Sequence, residues 1–147
     1  MPQSLARVLI HVAFSSKDRQ PVFTTEIQKE LWPYLATVAR AQGNLAIEIG
    51  GHTDHTHLLL SMARTVTIAQ IVENLKTSSS KMLKTKVPGF SWQSGYGAFS
   101  LGQREVETVS AYIRNQESHH KKASFQDEFR EICKECGIEY DERYVWD

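Results

Sequence analysis

Two histidines one residue apart, His55 and His57 in "DHTHLLL", and a tyrosine and a glutamine four apart, Tyr112 and Gln116 in "YIRNQESHH", are the residues best placed to do chemistry. Side chains two apart on a β-strand share a face, with backbones about 6.5–7 Å apart. Two imidazoles so placed can converge on one cation. Such a centre is open: it needs a third protein ligand and leaves room for substrate oxygens. On a helix, residues four apart stack on one side. Gln116 then offers a neutral oxygen ligand, and Tyr112 offers a phenol as nucleophile. A free phenol has a pKa of about 10, so a nearby cation would help it ionise. Tyr34 follows Pro33 in an apolar pattern, and Tyr96 lies between two glycines where a turn or close backbone approach accounts for its setting, so Tyr112 is the preferred nucleophile. His52 falls in the turn before the pair and reads as a loop residue.

The elements that must hold these residues follow from periodicity. Ala6 to Ser16 is β-branched and apolar and reads as a strand. Thr25 to Gln42 has helical spacing with Pro33 inside it, a candidate kink. Leu45 to Gly51 and His55 to Met62 read as strands joined by a hairpin-like turn. In the second of these, Thr56, Leu58 and Leu60 point away from the histidines. Ile68 to Leu83 marks a long helix stopped by Pro88-Gly89, and Gly95 to Leu101 a short aromatic strand. Arg104 to His120 reads as one helix, with Ser100 and Gln103 as a candidate capping box. A last amphipathic helix covers Phe125 to Cys136. Strand, helix, strand, strand, helix, strand is the split β-α-β order. The expected fold is α+β: a ferredoxin-like, RRM-like antiparallel sheet with helices packed on one face and an extra C-terminal helical segment, a single domain over 1–147.

The chain has 147 residues, with 17 basic and 17 acidic side chains and a formal net charge of +0. That excludes a global electrostatic pull toward nucleic acid or anionic membrane, so any nucleic-acid site must be a local patch. No signal peptide and no apolar run of about 18 residues is present. The expectation is a soluble cytoplasmic protein without a membrane partner. Cys133 and Cys136 form a single CxxC, half of a structural zinc set. His119 and His120 could complete it, but two ordinary helix thiols are expected.

"DHTHLLL", "GYGAFS" and "YIRNQESHH", in this order and spacing, resemble the HUH-type single-tyrosine transposases, whose insertion sequences move as single-stranded DNA. "FSSKDRQPVF", "LKTSSSKML" and "FQDEFREICKECGIEYDERYVWD" extend the resemblance from about Leu9 to the C-terminus. The chain departs from the pattern at Thr56, where the family has a hydrophobic residue between the histidines. The resemblance implies a divalent cation, Mg2+ or Mn2+, on His55, His57 and Gln116. It implies attack of Tyr112 on DNA to give a 5′-phosphotyrosine and a free 3′-hydroxyl, and rejoining without ATP. It also implies a homodimer that recognises DNA hairpins near element ends. Imidazole ligands favour manganese over magnesium in raw affinity, so magnesium would act through abundance. With two neutral imidazoles and an amide, such a site would carry no negative charge.

DNA contacts are expected from "KTSSSKMLKTK", with Lys76, Lys81 and Lys84 among hydroxyls, from Lys121 and Lys122, and from Lys17 and Arg19. Trp92, Tyr96 and Phe99 are candidates for stacking on bases, with core packing expected for at least two of them. The runner-up is a non-catalytic nucleic-acid-binding regulator on the same scaffold, which would not need Tyr112, His55, His57 and Gln116 together. A histidine phosphoesterase fits poorly. Leu59 occupies the third alternating position that one type requires, and the two HxT motifs of the other type are not separated here.

Overall fold

Seven-residue β-rich runs form the middle of the sheet. In the computed structural model, which describes residues 2–147, β1 is Leu9–Ser15, β2 Leu45–Gly51, β3 His55–Ser61 and β4 Gly97–Leu101. They pair antiparallel in the order β2-β3-β1-β4. With α1 (Thr25–Ala41) after β1 and α2 (Ile68–Lys84) after β3, this is the ferredoxin-like arrangement expected from the sequence.

The main core lies between the sheet and these two helices. Ile10, Val12, Phe14, Leu58 and Leu60 pack against Leu31, Leu35, Ile71 and Leu75. Each fully buried aliphatic or aromatic side chain contributes about 1.5–3 kcal/mol. Thr24 caps α1 through its hydroxyl on the Ile27 N–H, and Thr67 with Gln70 forms a capping box on α2. Pro33 lies within α1, which continues through it.

The extra C-terminal segment covers the opposite face. It comprises α3 (Val106–Arg114), α4 (Gln116–His119) and α5 (Phe125–Glu135). Phe125, Phe129 and Cys133 of α5 pack on Ala13 and Phe99. Two glycines permit the close approach: a Cβ on Gly50 would lie 2.7 Å from the Ile113 carbonyl of α3, and one on Gly97 would lie 2.6 Å from the Phe129 ring. Covered on both faces, β1 is buried along its whole length and β3 along all but its last residue. The expected single helix Arg104 to His120 is instead a 3-10 turn (Gln103–Glu105), then α3, then α4, with Asn115 leaving helical geometry between the last two. The helix entry is closed by Glu105, which accepts the Gly102 N–H at 3.0 Å, and not by Ser100 and Gln103. Among the described residues no helix is long and apolar enough to cross a membrane.

Candidate metal and nucleophile site

Strand alternation puts His55, His57 and Leu59 on the face away from the main core. Thr56 turns to the other side, where its hydroxyl donates to the Gly50 carbonyl at 3.0 Å. Both histidines are fully buried, because α3, α4 and α5 roof this face. Each has its Nδ1 held from behind. The Asp54 carboxylate lies 2.7 Å from Nδ1 of His55, and Nε2 of His11, on β1, lies 2.8 Å from Nδ1 of His57. The Nε2 atoms of both rings therefore face into one pocket.

The break at Asn115 lets Gln116 reach that pocket. Its Oε1 lies 2.8 Å from Nε2 of His55 and 2.9 Å from Nε2 of His120. Tyr112, on the last full turn of α3, sits edge-on to His57 with ring centroids 5.8 Å apart. The four residues singled out in the sequence thus meet within one chain.

A fifth residue stands among them. Glu128 of α5 is 4% exposed. Its Oε1 accepts from Nε2 of His57 at 2.7 Å. Its Oε2 accepts the Tyr112 hydroxyl proton, the Gln116 amide at 3.1 Å and Nε2 of His120 at 3.0 Å. His119 Nε2 lies 3.2 Å from Oε2 without hydrogen-bonding alignment. Burial opposes ionisation of Glu128, but His57, His120 and His55 outweigh it and hold the carboxyl well below its usual range. Burial, then the Glu128 charge, push the Tyr112 phenol up. Burial lowers His57 despite Glu128, so that contact is a neutral N–H donating to a carboxylate. Burial also lowers His120, but the bond and charge of Glu128 more than compensate and its pKa rises. Burial and His57 lower His11 to about 3.

The donor set suits a divalent cation. Ligand atoms of His55, His57, His120 and Glu128 lie within 4.8 Å of one another. Asp54 fixes Nδ1 of His55 from behind, and its Nε2 points at Gln116 Oε1 2.8 Å away, so an imidazole nitrogen and an amide oxygen converge on one place. Imidazole, amide and carboxylate are all ordinary donors to divalent cations. Glu128 also corrects the expectation that this site carries no negative charge. Its signal was in the sequence: in "SFQDEFREIC" it stands on the same helical stripe as Phe125, Phe129, Ile132 and Cys133, where a carboxylate needs partners.

The remaining sequence candidates scatter. Lys76 donates to the carbonyls of Gln93, Ser94 and Gly95 at 2.8, 3.3 and 2.7 Å, and burial lowers it to about 8; it pins the loop before β4. Lys81 and Lys84 are exposed on α2, across the sheet from the histidines. Lys121 and Lys122 are exposed and directly follow the site residue His120. Lys17 is exposed, whereas Arg19 donates to the Trp146 carbonyl at 3.4 Å and stacks over that indole. Trp92 and Phe99 are core residues and Tyr96 is 40% exposed. Tyr34 donates to the Ser78 carbonyl on the opposite face. His52, in the loop, stacks on His120 at 5.6 Å. Cys133 is buried in α5 and Cys136 is exposed. His119 and His120, the candidates to complete a zinc set with them, instead face Glu128.

The sequence profile of the family described as "Transposase IS200 like" matches residues 4–116. No curated protein sequence matches the chain. Among solved structures, a protein from Deinococcus radiodurans R1 assigned as a transposase superposes with a TM-score of 0.64 at 22% identity, covering 79% of this chain and 95% of that one. A REP-associated tyrosine transposase bound to a REP hairpin superposes with a TM-score of 0.62 at 10% identity, covering 82% of this chain and 73% of that one. At these identities the likeness is one of fold.

Proposed function

The chain belongs to the IS200-like transposase family, and from that premise we propose that it cuts and rejoins single-stranded DNA through a 5′-phosphotyrosine on Tyr112. The observation that carries this reading is the meeting of Tyr112, Gln116, His55 and His57 in one buried pocket, from elements as much as 61 residues apart in sequence.

In this reading His55, His57 and Gln116 hold a Mg2+ or Mn2+ ion, with Glu128 supplying the anionic ligand. Such a cation would polarise the scissile phosphate, worth several kcal/mol of charge stabilisation. The chain's own residues do the rest. Asp54 and His11 fix the two imidazole rings from behind. The Tyr112 oxygen, losing its proton, forms a bond to phosphorus as the bond to the 3′-oxygen breaks, and that oxygen takes up a proton from water and leaves as the 3′-hydroxyl. Glu128 Oε2 is the acceptor beside the phenolic proton. Rejoining is the reverse: a 3′-hydroxyl attacks the phosphotyrosine and frees Tyr112, so the bond energy is conserved and no nucleotide cofactor is needed.

The DNA partner of this reading is a hairpin-forming element end. A fold neighbour is described as bound to a REP hairpin, and Lys17, Lys81, Lys84, Lys121 and Lys122 present exposed ammonium groups here. A homodimer is part of the proposal. Leu45, on the edge strand β2, is 55% exposed and Tyr144 64%, surfaces that a partner would cover. Light scattering should give about twice the 16.7 kDa chain mass, and a clean monomer at micromolar concentration would overturn the dimer. The direct test of function is incubation with labelled single strands from the gene's flanks, with manganese or magnesium, on a denaturing gel. A covalent adduct mapped to Tyr112 by mass spectrometry is expected. An adduct on Tyr96, or none with any flanking strand, would sink the reading.

A further inference from the structure

We propose that His11 is a positioning residue for the candidate metal centre, the partner that lets His57 turn a bare Nε2 toward a cation. This rests on the reading in which His55 and His57 hold that cation.

The two histidines of the pair are held in unlike ways. Behind His55 stands a carboxylate, which accepts and never donates, so the Nδ1 that faces it carries a proton whatever the pocket holds. Behind His57 stands another imidazole, stacked on it with centroids 5.0 Å apart and an interplanar angle of 29°. An imidazole can give or take. With no cation, Nε2–H of His57 donates to Glu128 Oε1 at 2.7 Å. Its Nδ1 must then accept, so His11 donates from Nε2. This arrangement satisfies both nitrogens of His57 but presents a proton where a metal needs a lone pair.

For a cation to take His57 Nε2, the proton of that ring must sit on Nδ1, and His11 must accept it on Nε2. The exchange needs three moves. His57 gives up its Nε2 proton through Glu128, its partner at 2.7 Å, to water in the cavity that Glu128 lines; His11 passes its Nε2 proton to His57 Nδ1; and His11 gains one on Nδ1 from water. Two neutral rings enter and two neutral rings leave, with no net proton taken up. The route to water exists, because His11 lines a cavity of about 450 Å3 between β4, α3 and α5, together with Tyr112 and Glu128. A purely structural histidine on this strand would need no such opening. His11 pairs in register with Leu59 and Phe99, apolar neighbours that would accept a leucine.

The test is Mn2+ affinity by titration calorimetry, with thermal melts to confirm folding. Wild type should bind Mn2+ and His55→Ala should not; loss of that contrast would overturn the metal reading and this inference with it. Given the contrast, His11→Leu should bind about 10–100-fold more weakly, the usual cost of losing the group behind a ligating histidine. His11→Gln, whose amide both gives and takes, should recover most of the affinity. Wild-type affinity in His11→Leu would overturn the role of His11 and leave the metal site standing. A second readout needs no variant. Nitrogen-15 NMR of the wild-type imidazoles should show the His57 proton on Nε2 without metal and on Nδ1 with saturating Mg2+. A proton that stays on Nε2 in both spectra would overturn the proposal.

Discussion

On one face of β1 and β3 stand Ile10, Val12, Phe14, Leu58 and Leu60. From the alternate positions of the same strands, on the other face, stand His11, Ala13, His55, His57 and Leu59. Both sets are buried, yet they follow different rules. The first needs only volume and close packing. The second buries imidazoles, an amide and a carboxylate, each of which costs free energy unless its hydrogen bonds are made. Nearly all are made, and through one another: His11 to His57, His57 to Glu128, Glu128 to Tyr112, Gln116 and His120. An apolar layer would cover the sheet as well or better. The polar layer therefore fits the proposed chemistry, and the apolar one stability.

Tyr112→Phe separates the two most sharply. It removes one hydroxyl from the polar layer. Glu128 Oε2 keeps Gln116 and His120 as donors, so stability should change by about 1 kcal/mol or less. DNA binding should survive while adduct formation falls below detection on the labelled-strand gel. Gln116→Ala should slow the reaction less severely, since water can replace a neutral ligand. Full adduct formation by the phenylalanine protein would break the assignment of chemistry to this face.

Leu58→Ala is the converse, one residue along the strand from His57. It leaves a cavity in the apolar layer and should cost about 2–5 kcal/mol, read as a lower denaturant midpoint. Its adduct yield at temperatures where it stays folded should match wild type. A selective loss of activity would show that the two layers are mechanically coupled through β3.

The contrast was only half legible in the sequence. The apolar layer and its helices announce themselves by period, and the bounds of β2 and the starts of β3, α1 and α2 fall where alternation and 3.6-residue spacing put them. His55, His57, Tyr112 and Gln116 stood out because their types and spacings fit a known chemistry. Glu128 did not, because a carboxylate in an amphipathic helix is ordinarily solvated; only its place on the stripe of Phe125, Phe129 and Cys133 marked it. His11 was hidden for the opposite reason, inside the run "LIHVAFS", where hydropathy dominates. The break at Asn115 was invisible, since helical periodicity runs on through it and the cause is tertiary: Gln116 turns in to meet His55.

Acid should weaken the histidine face alone. His11 and His57 are held neutral when folded, His11 down to about 3 from 6.5. Below 6.5 the unfolded chain binds the extra protons, so stability falls with pH there. Glu128, depressed from 4.5, adds stability that is present above that value and is lost as pH falls toward its folded pKa. His120, raised, acts in the other direction: its contribution is present below 6.5 and is lost as pH rises through its folded value. Between pH 6.5 and 4.5 the melting temperature should therefore decline. His11→Leu should make the decline shallower, while Leu58→Ala should shift the whole curve down at unchanged slope. Equal slopes in all three proteins would show that the buried imidazoles do not report on folding.

The smallest effects belong to the surface lysines, and they carry the same distinction outward. Lys121 and Lys122 are exposed and directly follow His120, which bonds Glu128 beside Tyr112, while Lys81 and Lys84 are exposed on α2, beyond the apolar layer. A phosphate lying against Tyr112 places its neighbours in the same strand within reach of the first pair. The second pair can meet DNA only where a flanking hairpin wraps round the domain. For a single strand, each phosphate that the protein ceases to neutralise should reduce the slope of log affinity against log salt by about 0.7. Alanine at both Lys121 and Lys122 should therefore weaken binding of a short single strand and flatten its salt dependence. Alanine at both Lys81 and Lys84 should leave that short strand unaffected and weaken only the binding of a strand carrying the hairpin. Filter binding at several salt concentrations measures both slopes. A larger loss from the α2 pair on the short strand would mean that DNA approaches across the apolar side, and the path to Tyr112 would have to be redrawn around the edge of β4.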